Sequence, residues 1–175
     1  DSRVALDDAG TRIGLPEVNL GNHPAYGGVV RATSMINPLN SLEIMLSGRA
    51  LTAPAARAIG LVDVAQPRRQ IERAARQIAL TNPPRQSMPL IGKILSLPGI
   101  RNLLAGYMKK QVAKKAPRQH YPAPYAILDV WANYYGDNKR MMEEEANSVA
   151  RLIQGDKVRN LIRVFFLQTR LKGLG

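Results

Sequence analysis

Three prolines within nine residues, the stretch TNPPRQSMP at 81–89, limit this chain more than any other feature. Proline lacks an amide proton and clashes with the preceding turn, so no helix continues through such a stretch and it reads as a linker. Before it, short extended segments alternate with helical ones; after it, every segment has helical spacing. The expected organisation is a mixed α/β part over 1–80 and a helical extension over 81–175.

In the first part, SRVAL reads as a strand closed by the turn Asp7-Asp8-Ala9-Gly10. TRIGLPEV reads as extended, because Pro16 pushes Leu15 away from helical geometry. GNHPAYGG is a loop, and a helix is expected from about Gly28 to Met35. NSLEIMLSG predicts a helix with Leu42, Met45 and Leu46 on one face and Gly48 as its stop. Thr52 is a natural cap for the next helix, with Pro54 in its first turn and Gly60 at its end. LVDVA follows as a strand, and QIERAARQIAL as an amphipathic helix presenting Ile71, Ala74, Ala75 and Ile78.

In the second part, GIRNLLAGYMKKQVAKKA gathers Ile100, Leu103, Leu104, Tyr107, Met108 and Val112 into one stripe, with its lysines opposite or at the C-terminal end, where they suit the helix dipole. HYPAPY breaks that helix, and AILDVWANYYG forms a short one ending at Gly136. Asp137 caps the next, which stops at Gly155, and a last helix stops at Gly173.

The net charge is +12, and it is unevenly placed. Residues 1–80 hold nine Lys/Arg against seven Asp/Glu; residues 81–175 hold sixteen against six. Between Lys93 and Arg118 stand seven basic residues and no acid. Such a surface attracts polyanions: nucleic acid, an anionic membrane or a phosphorylated cofactor. A basic helical module binding nucleic acid or another polyanion is therefore the alternative reading. Against nucleic acid, no helix-turn-helix, zinc-finger or RNA-binding aromatic signature is present. No run approaches about 18 consecutive apolar residues, so no transmembrane segment is expected. With no cysteine and no signal pattern in its first residues, a cytoplasmic location is expected.

Glu17 is the acid of most chemical interest. Flanked by Leu15, Pro16, Val18 and Leu20, it is expected to be partly desolvated, the setting in which a carboxyl serves as general acid or base. The Gly27-Gly28 pair permits close backbone approach, and a helix beginning there offers amides to an anion or a carbonyl. A solvated acid at the start of a loop is the plainer alternative. His23 is expected to have a structural role beside this loop and His120 to lie on the surface; neither has an acid at metal-ligand spacing, and no metal site is expected.

The segment GLPEVNLGNHPAYGGVVR at 14–31, followed by LSGRALTAPAARAIGLVD, resembles the crotonase (enoyl-CoA hydratase/isomerase) family. That family carries G-L-P-E-x-x-L-G-x-x-P-x-x-G-G-x-x-R, then (T/S)-G-(R/K), then A-x-x-x-G-L-V-D, in this order. The closing NLIRVFFLQTRLKGLG resembles the helix that joins the hydratase domain to a 3-hydroxyacyl-CoA dehydrogenase domain in multifunctional fatty-acid oxidation proteins. The resemblance implies a partial α/β crotonase-like spiral fold with a mainly α-helical C-terminal extension. It implies hydration of trans-2-enoyl-CoA, in some members double-bond isomerisation, by two glutamates and one water. An oxyanion hole of backbone amides steadies the thioester enolate.

On this sequence, Glu17 matches the glutamate that protonates the α carbon, and Pro24, Tyr26, Gly27 and Gly28 match the wall beside the substrate. Ala25 stands where the family usually has glycine, Asn22 where an apolar residue is common, and Val29 where a small hydroxyl residue is usual. The family's other glutamate and its oxyanion glycine precede a D-x-R-(V/I)-A strand, here DSRVA at the start of the sequence, and no G-x-G-x-x-G follows LKGLG. The expectation is a segment with half an active site, inactive alone and without a cofactor of its own. Its substrate would be acyl-CoA, NAD would belong to the missing dehydrogenase domain, and a homo-oligomer or a fatty-acid oxidation complex partner is expected.

Overall fold

A computed structural model describes residues 2–83 and 88–174, so residues 84–87 of the expected linker lie outside the described residues. β1 (Val4–Leu6) pairs in parallel with β4 (Val64–Gln66), Val4 opposite Val64. Parallel neighbours need a long crossover, and here it contains β2 (Ile13–Gly14), β3 (Ala50–Leu51), which pairs antiparallel with β2, and helices α1 to α3. The Arg3 guanidinium ties the two ends of this crossover together through both carboxylate oxygens of Asp63, at 2.8 and 3.2 Å. At Gly14 a Cβ would lie 2.7 Å from the Arg49 carbonyl, so the β2–β3 pairing needs a residue without one.

α1 spans Gly28–Met35, α2 Pro38–Ser47 and α3 Ala53–Ala58. The Asn37 side chain accepts from the Leu39 amide at 2.9 Å, and Thr52 accepts from Ala55 at 3.4 Å, as cap chemistry requires. α4 (Arg68–Thr81) lies against β1 and β4. Ile71, Ala74 and Ile78 are half-buried there, whereas Ala75 is exposed.

After the linker come α5 (Leu90–Leu95), α6 (Pro98–Ala113), α7 (Ala123–Tyr134), α8 (Asn138–Ile153) and α9 (Asp156–Lys172). α7 starts at Ala123, inside the HYPAPY break, because Pro122 and Pro124 occupy its cap and first turn, where no amide is needed. It is the central element: Ile127, Leu128 and Trp131 are fully buried and pack with Val29, Leu42, Ile44 and Met45 of α1 and α2. Removing a side chain as large as Trp131 from such a site costs about 3–5 kcal/mol.

The expected single stripe of α6 is divided between core and solvent. Leu104, Met108 and Val112 do pack against the core, joined by Ala105 and Arg101, but Ile100, Leu103 and Tyr107 face outward. The reason is Arg101. Its buried guanidinium donates to the carbonyls of Ala132 and Tyr135, both at 2.8 Å, at the C-terminal end of α7. Those last-turn carbonyls have no partner within their own helix and carry its negative pole, so they receive a buried cation without a carboxylate. Burial pulls Arg101 below the ordinary arginine range. Among the described residues no helix is long and apolar enough to cross a membrane.

Candidate active site

Glu17 is not at a strand end. It opens a 3-10 turn, Glu17–Leu20, that follows β2 after Leu15 and Pro16. Pro16 stands at the cap with φ −86°, and Gly21 closes the turn. The turn packs against α2 and α9: a Cβ on Gly21 would press on Leu161 and Val158 of α9, and the Asn19 side chain donates to the Gly48 carbonyl at 3.2 Å. The Glu17 residue is half-buried, and its Oε2 is buried with no hydrogen-bond partner among the described residues.

Six residues on, the chain enters a segment clamped by α8. His23 is fully buried: Nδ1 lies 2.9 Å from the Pro24 carbonyl and Nε2 3.0 Å from Ser148 Oγ. A neutral ring that donates from Nδ1 and accepts at Nε2 satisfies both contacts. Burial is the main reason His23 is held below the usual histidine range; the nearby Arg151 charge adds to it and the Pro24 bond opposes it.

The Gly27-Gly28 pair begins α1 as expected, but its amides are already taken. Glu145 of α8, 1% exposed, accepts from Gly27 at 2.5 Å, Gly28 at 3.2 Å, Val29 at 3.0 Å and Val30 at 3.3 Å. One carboxylate thus accepts from four amides at the helix start, of which Gly28 also donates to the Ala25 carbonyl at 3.0 Å, and meets its positive pole. The expected offer of these amides to a substrate anion or carbonyl is corrected accordingly. Burial raises the Glu145 carboxyl above the usual range even though the four amides favour its ionised form.

Two residues take the left-handed backbone to reach this geometry: Tyr26 with φ 54° and Gly27 with φ 83°. Glycine bears that conformation freely; tyrosine does not. The Tyr26 side chain is 94% exposed, while its carbonyl accepts from the Arg31 guanidinium at 2.5 Å. Pro24 is buried against Gly28, where a Cβ would approach it to 2.6 Å. Pro24, Gly27 and Gly28 are therefore brought together under the α8 clamp, Tyr26 points outward from it, and Glu17 occupies a separate turn. The cleft of about 390 Å³ between α7 and α8 is lined by Ser148 and Arg151 but not by Glu17 or residues 24–28. His120 is exposed, with Gln119 as its neighbour.

No family model matches the chain. The fatty acid oxidation complex subunit alpha of Aliivibrio fischeri is 36% identical over 174 residues, 98% of this chain and 25% of that protein. The same-named subunit of Vibrio vulnificus is 35% identical over 178 residues, again 98% of this chain and 25% of its own length. The chain thus spans about a quarter of these relatives. Among solved structures, a carnitinyl-CoA hydratase from Mycobacterium avium matches with TM-score 0.59 at 21% identity, over 96% of this chain and 52% of that one. A carnitinyl-CoA dehydratase from Mycobacterium thermoresistibile matches with TM-score 0.60 at 19% identity, over 95% and 55%. The chain has the crotonase-like fold of these hydratases.

Two residues of this site escaped sequence reading. Glu145 stood among three consecutive glutamates, 143–145, and Ser148 was unremarked. A signal was there: Met141, Glu145, Ser148 and Leu152 recur at helical spacing, with Met141 buried and Leu152 against the core. An acid on the core stripe of a helix must have partners, and the nearest unsatisfied donors were those of the Gly27-Gly28 helix start.

Proposed function

We propose that this chain is part of an enoyl-CoA hydratase/isomerase domain that adds water to trans-2-enoyl-CoA in fatty-acid β-oxidation. The domain is carried within a longer multifunctional protein that also holds 3-hydroxyacyl-CoA dehydrogenase activity, with NAD as the cofactor of that other domain. The observation that carries this reading is Glu17 Oε2, buried and without a hydrogen-bond partner among the described residues. Leaving such an atom unpaired costs about 1–3 kcal/mol, and a fold retains that cost where the oxygen serves chemistry. The names of the relatives, subunits of fatty acid oxidation complexes, support the pathway.

In this reading Glu17 delivers a proton to the substrate α carbon while the oxygen of water bonds to the β carbon. The water's own proton is taken by a second, ionised carboxylate acting as base. Pro24, Tyr26, Gly27 and Gly28 form the wall beside acyl-CoA; with Glu145 holding the amides, Gly27 and Gly28 shape that wall rather than donate to substrate. Residues 1–80 supply the strands and first helices of the crotonase core, and 81–175 supply the helices that complete that core and lead toward the dehydrogenase domain. The segment alone is inactive, the complete protein is cytoplasmic, and it assembles as a homo-oligomer or with a fatty-acid oxidation complex partner.

The test is Glu17→Gln in the full-length protein with a short trans-2-enoyl-CoA. A lost proton donor lowers kcat about 10²–10⁴-fold, with KM little changed and the dehydrogenase step intact. Unchanged hydration overturns the reading.

A further inference from the structure

The outward turn of α6 leaves a surface that the hydratase reading does not use. Ile100, Leu103 and Tyr107 stand at helical spacing on the solvent side, with Leu103 78% and Tyr107 60% exposed. Continuing the same line by three and four residues leads to Lys110 and Lys114. α5 and the residue before α6 extend the apolar band: Leu90, Ile91, Ile94 and Leu97 are all exposed, Leu90 at 73%. An apolar groove of about 640 Å³ between α2 and α6 opens beside it, with Tyr107 and Lys114 on its rim.

Charge on α5 and α6 themselves is of one sign; Glu43 of α2, which also lines the groove, is paired with Arg49. Of the seven basic residues from Lys93 to Arg118, Arg101 is buried on the α7 carbonyls, and Lys109 and Arg118 pair with Asp129. Lys93, Lys110, Lys114 and Lys115 make no ion pair among the described residues, and no acid occurs in the whole interval. Lys109 and Arg118, which pair with Asp129, lie on the α7 side, and Lys110 and Lys114 continue the apolar line.

We infer that the outer face of α5 and α6 seats the protein on an anionic lipid surface, lying in the headgroup layer without crossing it. Leucine and isoleucine side chains enter the acyl boundary, tyrosine occupies the interface, and the lysine stems extend to lipid phosphates. A polyanion of another kind fits less well. Nucleic acid rewards phosphate contacts and stacked aromatics, and this face presents exposed aliphatic groups with a single aromatic ring. A protein partner of ordinary composition leaves the four lysines without counter-charges. An anionic bilayer meets both features at once. This inference is independent of the hydratase reading, because it uses neither Glu17 nor residues 24–28.

The experiment is sedimentation of the full-length protein with vesicles of phosphatidylcholine containing 30% phosphatidylglycerol, roughly the anionic fraction needed for a substantial surface potential. Binding is expected at low salt, weakened by salt and nearly absent on pure phosphatidylcholine. Lys110→Gln with Lys114→Gln should lower the partition coefficient roughly 30-fold, taking about fivefold for each lysine. Leu103→Ser should also lower it, without shifting the thermal midpoint, because the side chain is already in solvent. Absence of binding to the anionic vesicles overturns the inference, as does binding that none of these variants changes. A change of oligomeric state in Leu103→Ser without loss of vesicle binding also overturns it, because the face would then be a protein interface.

Discussion

Glu145 and Gly27 meet through a 2.5 Å hydrogen bond across 118 positions of sequence, and three further amides converge on the same carboxylate. The helical extension therefore fixes the start of α1 directly, through a charge buried against a helix pole rather than against an opposite charge.

Replacing Glu145 by alanine strands the buried amides of Gly27, Val29 and Val30, while Gly28 keeps the Ala25 carbonyl. With about 1–3 kcal/mol for each buried group left unsatisfied, and partial relaxation toward water, a loss of about 3–5 kcal/mol is expected. Glu145→Gln keeps one oxygen acceptor and the shape, and should lose about half as much. Urea unfolding of the three proteins checks the order; equal stability of alanine and glutamine variants would show that the amides find other partners.

His23 sets a pH dependence with a definite sign. Burial holds its folded-state protonation below the ordinary 6.5, so the unfolded chain takes up the proton first on acidification. Its contribution is complete above pH 6.5 and is lost as the pH falls through that value toward the lowered one, by at most about 1.4 kcal/mol per pH unit. Glu145 acts in the opposite sense: its raised range means that stability declines as the pH climbs through it. Unfolding midpoints between pH 7.5 and 5 should fall in the wild type and fall less in His23→Gln. An identical slope in both proteins would dismiss His23 as the source.

Arg101 is the cationic counterpart of Glu145. Arg101→Met removes two charge-assisted bonds to the α7 carbonyls and should destabilise by about 2–4 kcal/mol. Arg101→Lys should recover only part, because a single ammonium does not match the planar fork that reaches Ala132 and Tyr135 together. Thermal melts distinguish this from a packing role, in which methionine and lysine variants would fare alike.

Local rules located most of the elements from sequence. Thr52 and Asp137 stand at caps, Gly48 and Gly173 at helix ends, and α1 runs from Gly28 to Met35 as its Gly-Gly start predicts, while α2 starts two residues before the expected Asn40, capped by Asn37. What sequence reading missed was decided by distant partners. The stripe on α6 included both faces of the helix, since nothing local reveals that Arg101 is drawn inward by carbonyls more than thirty residues away. Glu17 reads as extended because Pro16 disfavours helix for Leu15, yet that rule says nothing about the residues after the proline, which form a 3-10 turn. The helix N-terminus was legible as an anion site; that its anion comes from α8 was not, because the contact spans most of the chain.

Glu17 yields the last prediction, one that separates use from stability. Its Oε2 is buried and makes no hydrogen bond among the described residues, so the carboxylate brings the fold a desolvation cost with no compensating bond. An apolar residue of similar length should relieve it: Glu17→Met is expected to raise stability by roughly 1 kcal/mol, read as a higher urea midpoint with unchanged slope. The same variant should lose hydration in the full-length protein as fully as Glu17→Gln does. A rise in stability with loss of turnover marks a residue retained for chemistry against the interest of the fold. If Glu17→Met is instead destabilised, the carboxylate has a structural partner and its place in the reaction is withdrawn.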